Sequence, residues 1–231
     1  MACLERDAAK ENVKAILNML EPKTDAKMVD LGCSSGENTV KFANAVGTKD
    51  LYGVDLHPKA CALALEKGIK IARHDLNTPF PFEEEFFDVI IANNVIEHIR
   101  ETDLFVNEIY RILKPNGYVV VSTENLSGSH NMLALLLGYQ PFFDYVSKVY
   151  YIGNPFFFHR KTIGEPTVIH YKLFAFQALV DILEVYHFKV ESVKGAGYPP
   201  FLGSIAWLLC RLDPKHSRYI IAKARKYDAQ I

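Results

Sequence analysis

Three carboxylates stand where short apolar runs end, a placement that suits ligand binding at the edge of a sheet. Asp30 and Asp55 lie at the ends of Lys27–Leu31 and Leu51–Asp55, and Asp75 follows Ile69–His74. After the first run comes Gly32-Cys33-Ser34-Ser35-Gly36. Glycines in such a turn let the backbone approach a ligand closely. Asp55 stands 19 residues beyond Gly36, a position from which a carboxylate accepts both hydroxyls of a ribose. Glu97 and His98 follow a fourth apolar run, and His170 precedes the helical pattern of 174–186. A histidine or carboxylate there can take a proton from a nucleophile.

The glycine turn fits a dinucleotide poorly. In G-x-G-x-x-G registered on Gly32, the later glycines are replaced by Ser34 and Glu37. Glu37 also places an anion in the first helical turn, where a pyrophosphate should bind. S-adenosylmethionine carries no phosphate, and its sulfonium and ammonium groups are cationic. It suits the acidic turn better than NAD does.

The elements that must position these residues alternate. A first helix is predicted over Leu4–Leu20, before Pro22. Strands follow at Lys27–Leu31, Leu51–Asp55, Ile69–His74, Asp88–Asn93 and Tyr118–Thr123. Helices are predicted at Glu37–Val46, from Pro58 to Gly68, and at Asp103–Leu113, with Lys114-Pro115-Asn116-Gly117 as a turn. The pattern pauses over Leu126–Ile169. It resumes with a helix near Phe174–Tyr186 and strands near Lys189–Val193 and Arg218–Ala224. Alternation of this kind implies a mostly parallel sheet with helices on both faces, and runs such as Val119-Val120-Val121 suit strands buried on both sides.

Composition sets bounds. The 231 residues fit one α/β domain with insertions, and 49% hydrophobic with 23% charged residues is ordinary for a globular chain. A net charge of −1 predicts no nucleic-acid partner by bulk electrostatics. Four cysteines without metal or C-x-x-C spacing favour a reducing, cytoplasmic setting over a disulfide framework. The N-terminus lacks the apolar core of a secretion signal, and no run is long enough to span a membrane. Met132–Leu137 and Phe201–Cys210 are too brief to span; they can pack or make peripheral contact with lipid.

VDLGCSSGENT, LYGVDLHP, HDLNTPFPFEEEFFDVIIANNVIEHI and LKPNGYVVVSTEN occur in order from Met28 to Asn125. This region resembles the class I S-adenosylmethionine-dependent methyltransferases, closest to the branch of ubiquinone and menaquinone biosynthesis. The resemblance implies a Rossmann-like seven-stranded α/β sheet whose last strand inserts antiparallel. It implies one domain: 1–125 for the cofactor, a lid at 126–170, and a C-terminal helix and strands at 171–231. It also implies roles. Asp30, Gly32, Cys33 and Gly36 would frame the methionine part of the cofactor. Asp55 would hold the ribose, with Leu56 against the adenine. Asp75 and the Leu76 N–H would face the adenine amino edge, and Asn93 would lie beneath the sulfonium. Ser34 departs from the pattern, which usually has glycine.

For Glu97 and His98 three roles fit: packing or helix capping, a general base completed by His170, or a metal site. Asn94-Val95-Ile96-Glu97-His98 resembles a Glu-x-x-Glu-His segment of magnesium-using relatives, but Asn94 replaces the first Glu, so no metal is expected.

Substrate choice is expected from the insertion. Nine aromatics fall between Tyr139 and Phe158. Such a density lines an apolar or ring-containing pocket, or else forms a small satellite core. His159-Arg160-Lys161 lies beside it, and Gly197-Tyr198-Pro199-Pro200-Phe201 with Leu202–Cys210 makes a second wall. The expected function is methyl transfer to oxygen or carbon of a small or lipid-like acceptor. Methylation of RNA or protein and a non-catalytic cofactor-binding scaffold are the rivals.

Overall fold

The computed structural model describes residues 2–227, apart from Tyr145, Lys148, Tyr151 and 156–168. The chain order is α1 (Ala2–Leu17), β1 (Lys27–Leu31), α2 (Glu37–Val46), β2 (Asp50–Asp55), α3 (Pro58–Glu66), β3 (Lys70–Arg73), β4 (Phe87–Asn93), α4 (Thr102–Ile112), β5 (Leu113–Glu124), α5 (Ser129–Leu136), α6 (Phe176–Val185), β6 (Phe188–Ala196), α7 (Gly203–Leu212) and β7 (Tyr219–Lys226). The strands form one sheet in the order β3-β2-β1-β4-β5-β7-β6. β1 to β5 pair in parallel, while β7 runs antiparallel to both β5 and β6. The expected seven-stranded sheet with an inserted antiparallel last strand is what the chain forms.

Side chains of one strand feed two cores, because successive residues point to opposite faces. Ile90, Val119 and Val121 pack with Phe105, Ile109, Leu179 and Leu183 of α4 and α6. Their neighbours Val89, Ile91 and Val120 pack with Ile16, Phe42 and Val46 of α1 and α2. A sheet covered this way leaves its strand ends as the place for chemistry.

The turn predicted at 114–117 is a bulge inside β5. Leu113 already pairs with Phe87, and the ladder resumes at Tyr118 with Val89. Four residues of β5 therefore oppose one of β4, and Asn116 takes a left-handed φ of 62°. The excess is held down by Asp88, which accepts from Lys114 at 2.8 Å and from Lys23 at 2.6 Å. Cys33, Cys61 and Cys210 are free thiols. Among the described residues, no helix is long and apolar enough to cross a membrane.

Candidate active site

The glycine turn is built by sterics. Gly32 and Gly36 have φ of 74° and 76°. A Cβ at Gly32 would collide with Val95, and one at Gly36 with Ile69. Only glycine meets both demands. Ser34 adopts φ 47° without being glycine. Its backbone N–H donates to Asp55 Oδ2 at 2.9 Å, and the His57 N–H donates to Asp55 Oδ1 at 2.8 Å. A carboxylate has about four lone-pair sites, so two are left for a ligand. Leu56 beside it is 58% exposed, an apolar surface next to polar acceptors.

The remaining predicted cofactor residues divide. Asp30 is buried at the end of β1, accepts from the Thr39 hydroxyl, and is pushed by desolvation and then by the charge of Asp55 up to about 7. Asp75 is exposed and accepts from the backbone and side-chain N–H groups of Asn77, both at 2.9 Å, which lowers its pKa. Asp75 thus closes a local turn through Oδ1. Leu76 is buried. Cys33 turns its thiol into a small core with Ala64 and Ile69, while its N–H donates to the Val54 carbonyl and its own carbonyl accepts from the Gly36 N–H. Asn93, at the end of β4, accepts from Asn12 Nδ2 and from the Ser122 hydroxyl, each at 2.8 Å. Asn12 brings α1 to the site, and no sequence motif marks it.

Glu97 and His98 form a single 3-10 turn, Ile96–His98, just past β4. His170, far along the chain, joins them: one donor atom from each residue lies within 4.8 Å of the others. The His98 and His170 rings are 4.7 Å apart. Glu97 is buried, accepts from the Thr123 hydroxyl at 2.9 Å, and is pushed by desolvation up to about 7. Its carbonyl accepts from the Tyr171 N–H at 2.8 Å, which ties the segment carrying His170 to this turn. His98 Nδ1 lies 3.0 Å from the Ile169 carbonyl. A carbonyl only accepts, so Nδ1 carries the hydrogen and Nε2 keeps its lone pair. Burial lowers the pKa of His98 and brings His170 down to about 4, so both rings are neutral. The Asn94 backbone N–H donates to the Ser122 hydroxyl oxygen at 3.2 Å.

Two aromatics of the insertion reach the same place. Phe143 lies 5.4 Å from His170, and Phe142 lies 5.3 Å from His130 at the start of α5. The second predicted wall also joins α5, through a hydrogen bond from the Ser129 hydroxyl to the Pro199 carbonyl at 3.0 Å. α5 and α7 carry exposed apolar side chains, among them Leu136, Trp207 and Leu212. His159-Arg160-Lys161 lies outside the described residues.

The strand order, the glycine turn and the row of carboxylates coincide with a family signature: residues 29–121 match the model of a methyltransferase domain. Over these residues the chain carries a methyltransferase domain of the class I S-adenosylmethionine-dependent type. The mitochondrial ubiquinone biosynthesis O-methyltransferase of Rattus norvegicus is 26% identical over 81% of this chain and 51% of its own length. The chain spans about half the length of that curated relative. An S-adenosylmethionine-dependent methyltransferase of Mesorhizobium loti superposes with a TM-score of 0.63 at 19% identity, covering 92% of this chain and 96% of its own. Phosphoethanolamine N-methyltransferase 2 of Haemonchus contortus, solved with S-adenosylmethionine, gives 0.62 at 19% identity, over 94% and 52%. S-adenosylmethionine is the cofactor of this methyltransferase family. The residues fit it: the Asp55 carboxylate at the end of β2 has open acceptor positions for a ribose, beside the exposed Leu56.

Proposed function

We propose that the chain transfers the methyl group of S-adenosylmethionine to an oxygen or carbon of a small, largely apolar or aromatic acceptor, with His98 as general base. The observation that carries this reading is the pinning of His98 by Ile169, which leaves Nε2 as a base beside Glu97 and His170. The bound cofactor would supply the methyl as an activated sulfonium. His98 Nε2 would take the proton of an acceptor hydroxyl while the methyl carbon bonds to its oxygen and S-adenosylhomocysteine leaves. Proton removal by a placed side chain contributes about 10²–10⁴-fold. Glu97 would orient the cluster, and excluding water would fall to the aromatic insertion. Phe142 and Phe143 beside the cluster support an apolar or ring-containing acceptor. So does the name of the rat relative, a ubiquinone biosynthesis O-methyltransferase. The exposed apolar faces of α5 and α7 accord with an acceptor drawn from a lipid phase.

A second reading has one observation in its favour. Glu97, His98 and His170 are close enough to share a cation. Two imidazoles and one carboxylate suit zinc better than magnesium, which prefers oxygen donors. Asn94 in place of a second carboxylate favours the metal-free base.

The test is transfer of labelled methyl to a panel of hydroxylated aromatic compounds. His98→Ala should lower kcat at least 100-fold and leave S-adenosylhomocysteine affinity unchanged, and a chelator should not matter. Activity untouched by His98→Ala refutes the base. Loss with chelator and rescue by zinc or magnesium establishes the metal reading instead.

A further inference from the structure

Arg218 immediately precedes β7 and has no role in the proposed transfer. Its side chain is only 8% exposed. Phe143 and Tyr219 lie against the guanidinium, with ring centroids 5.3 and 5.4 Å from its central carbon. Its backbone is fixed at both ends: its N–H donates to the Gly197 carbonyl and its carbonyl accepts from the Asn125 N–H. One terminal nitrogen lies 3.7 Å from Glu124 Oε1, beyond hydrogen-bond range, and Nε has no hydrogen-bond partner among the described residues. A buried donor left so costs about 1–3 kcal/mol, more for a charged group.

A second buried nitrogen lies near Arg218. His130 Nδ1 has no partner among the described residues either, and its ring is close enough to Arg218 to feel that charge. Glu124 lies 3.9 Å from His170 Nδ1 on its other side. The row therefore runs from His98 through His170 and Glu124 to Arg218, roofed by Phe143. One end holds the proposed base, and the other holds a buried arginine whose Nε is unpartnered among the described residues, beside an aromatic wall.

We propose that Arg218, assisted by His130, is a specificity-determining site for a carboxylate on the aromatic acceptor. Arginine presents donors in a rigid fork that matches the two oxygens of a planar carboxylate. Glu124 sets the guanidinium orientation, and the edge carrying Nε remains for the ligand. The rings of Phe142 and Phe143 would flank the attached aromatic body. The inference rests on the proposed acceptor class and adds to it a charged handle remote from the reacting oxygen. No step of the transfer passes through Arg218.

The experiment reads binding without turnover. The protein is titrated by calorimetry with 2-naphthoate and with its neutral isostere 2-naphthamide, both with and without S-adenosylhomocysteine. The acid should bind at least tenfold tighter than the amide. Arg218→Gln should erase that ratio, Arg218→Lys should keep part of it, and both should bind S-adenosylhomocysteine as the native chain does. Equal binding of acid and amide overturns the proposal, as does a lack of binding by the acid. A preference that survives Arg218→Gln also overturns it. If Arg218→Gln fails to fold, the ratio in the native chain and in Arg218→Lys decides. Failure of methyl transfer itself would show in the turnover assay and leave the acid-to-amide ratio to be read separately.

Discussion

The Asp55 carboxylate at the end of β2 accepts the backbone N–H of Ser34 at 2.9 Å, so the second strand props the glycine turn that follows the first. One residue thus shapes the glycine turn and keeps lone pairs open to a ligand. Asp55→Ala removes both. Charged hydrogen bonds are worth about 1.5–3 kcal/mol, so S-adenosylhomocysteine should bind at least tenfold more weakly by calorimetry. Unchanged affinity would disprove the ribose assignment.

Ser34 sits in the left-handed region, at φ 47°. A residue with a Cβ pays roughly 1–2 kcal/mol there, and glycine does not. Ser34→Gly should raise stability by about 0.5–1 kcal/mol in chemical denaturation, with the Asp55 bond kept because it uses the backbone. A loss of stability would mean that the serine hydroxyl matters after all.

Asp30 has its pKa raised to about 7 by burial, far above the 3.8 of an ordinary aspartate. The folded state therefore holds a proton that the unfolded state releases. Its stabilising contribution is complete below pH 3.8 and is lost as pH rises through 7. Between pH 5 and 8 the cofactor-free protein should lose on the order of a few kcal/mol from this group. Asp30→Asn should flatten the melting temperature over that interval. An identical pH slope in the variant would show that Asp30 ionises normally.

The aromatic segment should govern the acceptor and leave the cofactor alone. Phe142 and Phe143 touch His130, His170 and Arg218, none of which lies in the glycine turn. Phe143→Ala should cut turnover of an aromatic acceptor about tenfold or more and change S-adenosylhomocysteine affinity less than twofold, as an aromatic contact worth about 0.5–1.5 kcal/mol and the lost packing imply. Equal losses of both, or global unfolding, would make the segment part of the structural core.

Local signals carried the sheet and the glycine turn. β1 and α2 match their predicted spans residue for residue, because an apolar run bounded by a left-handed glycine leaves the backbone little choice. Asp30 and Asp55 were legible for the same reason: they end strands, and parallel strands end on one edge. Other features depended on contacts between distant segments. The Lys-Pro-Asn-Gly stretch reads as a turn by propensity, yet pairing of Leu113 with Phe87 makes it a bulge. The meeting of His170 with Glu97 was suspected from residue type alone. It became a cluster only because the chain after the insertion hydrogen-bonds back to the Glu97 carbonyl. Asn12 and Arg218 carried no sequence signal. Both reach the site through packing and strand order, α1 against the sheet and β7 inserted beside β5. Periodicity and turn chemistry act over a few residues and are written in the sequence. Which side chains meet over eighty or more residues is decided by register and burial, which exist only once the sheet has closed.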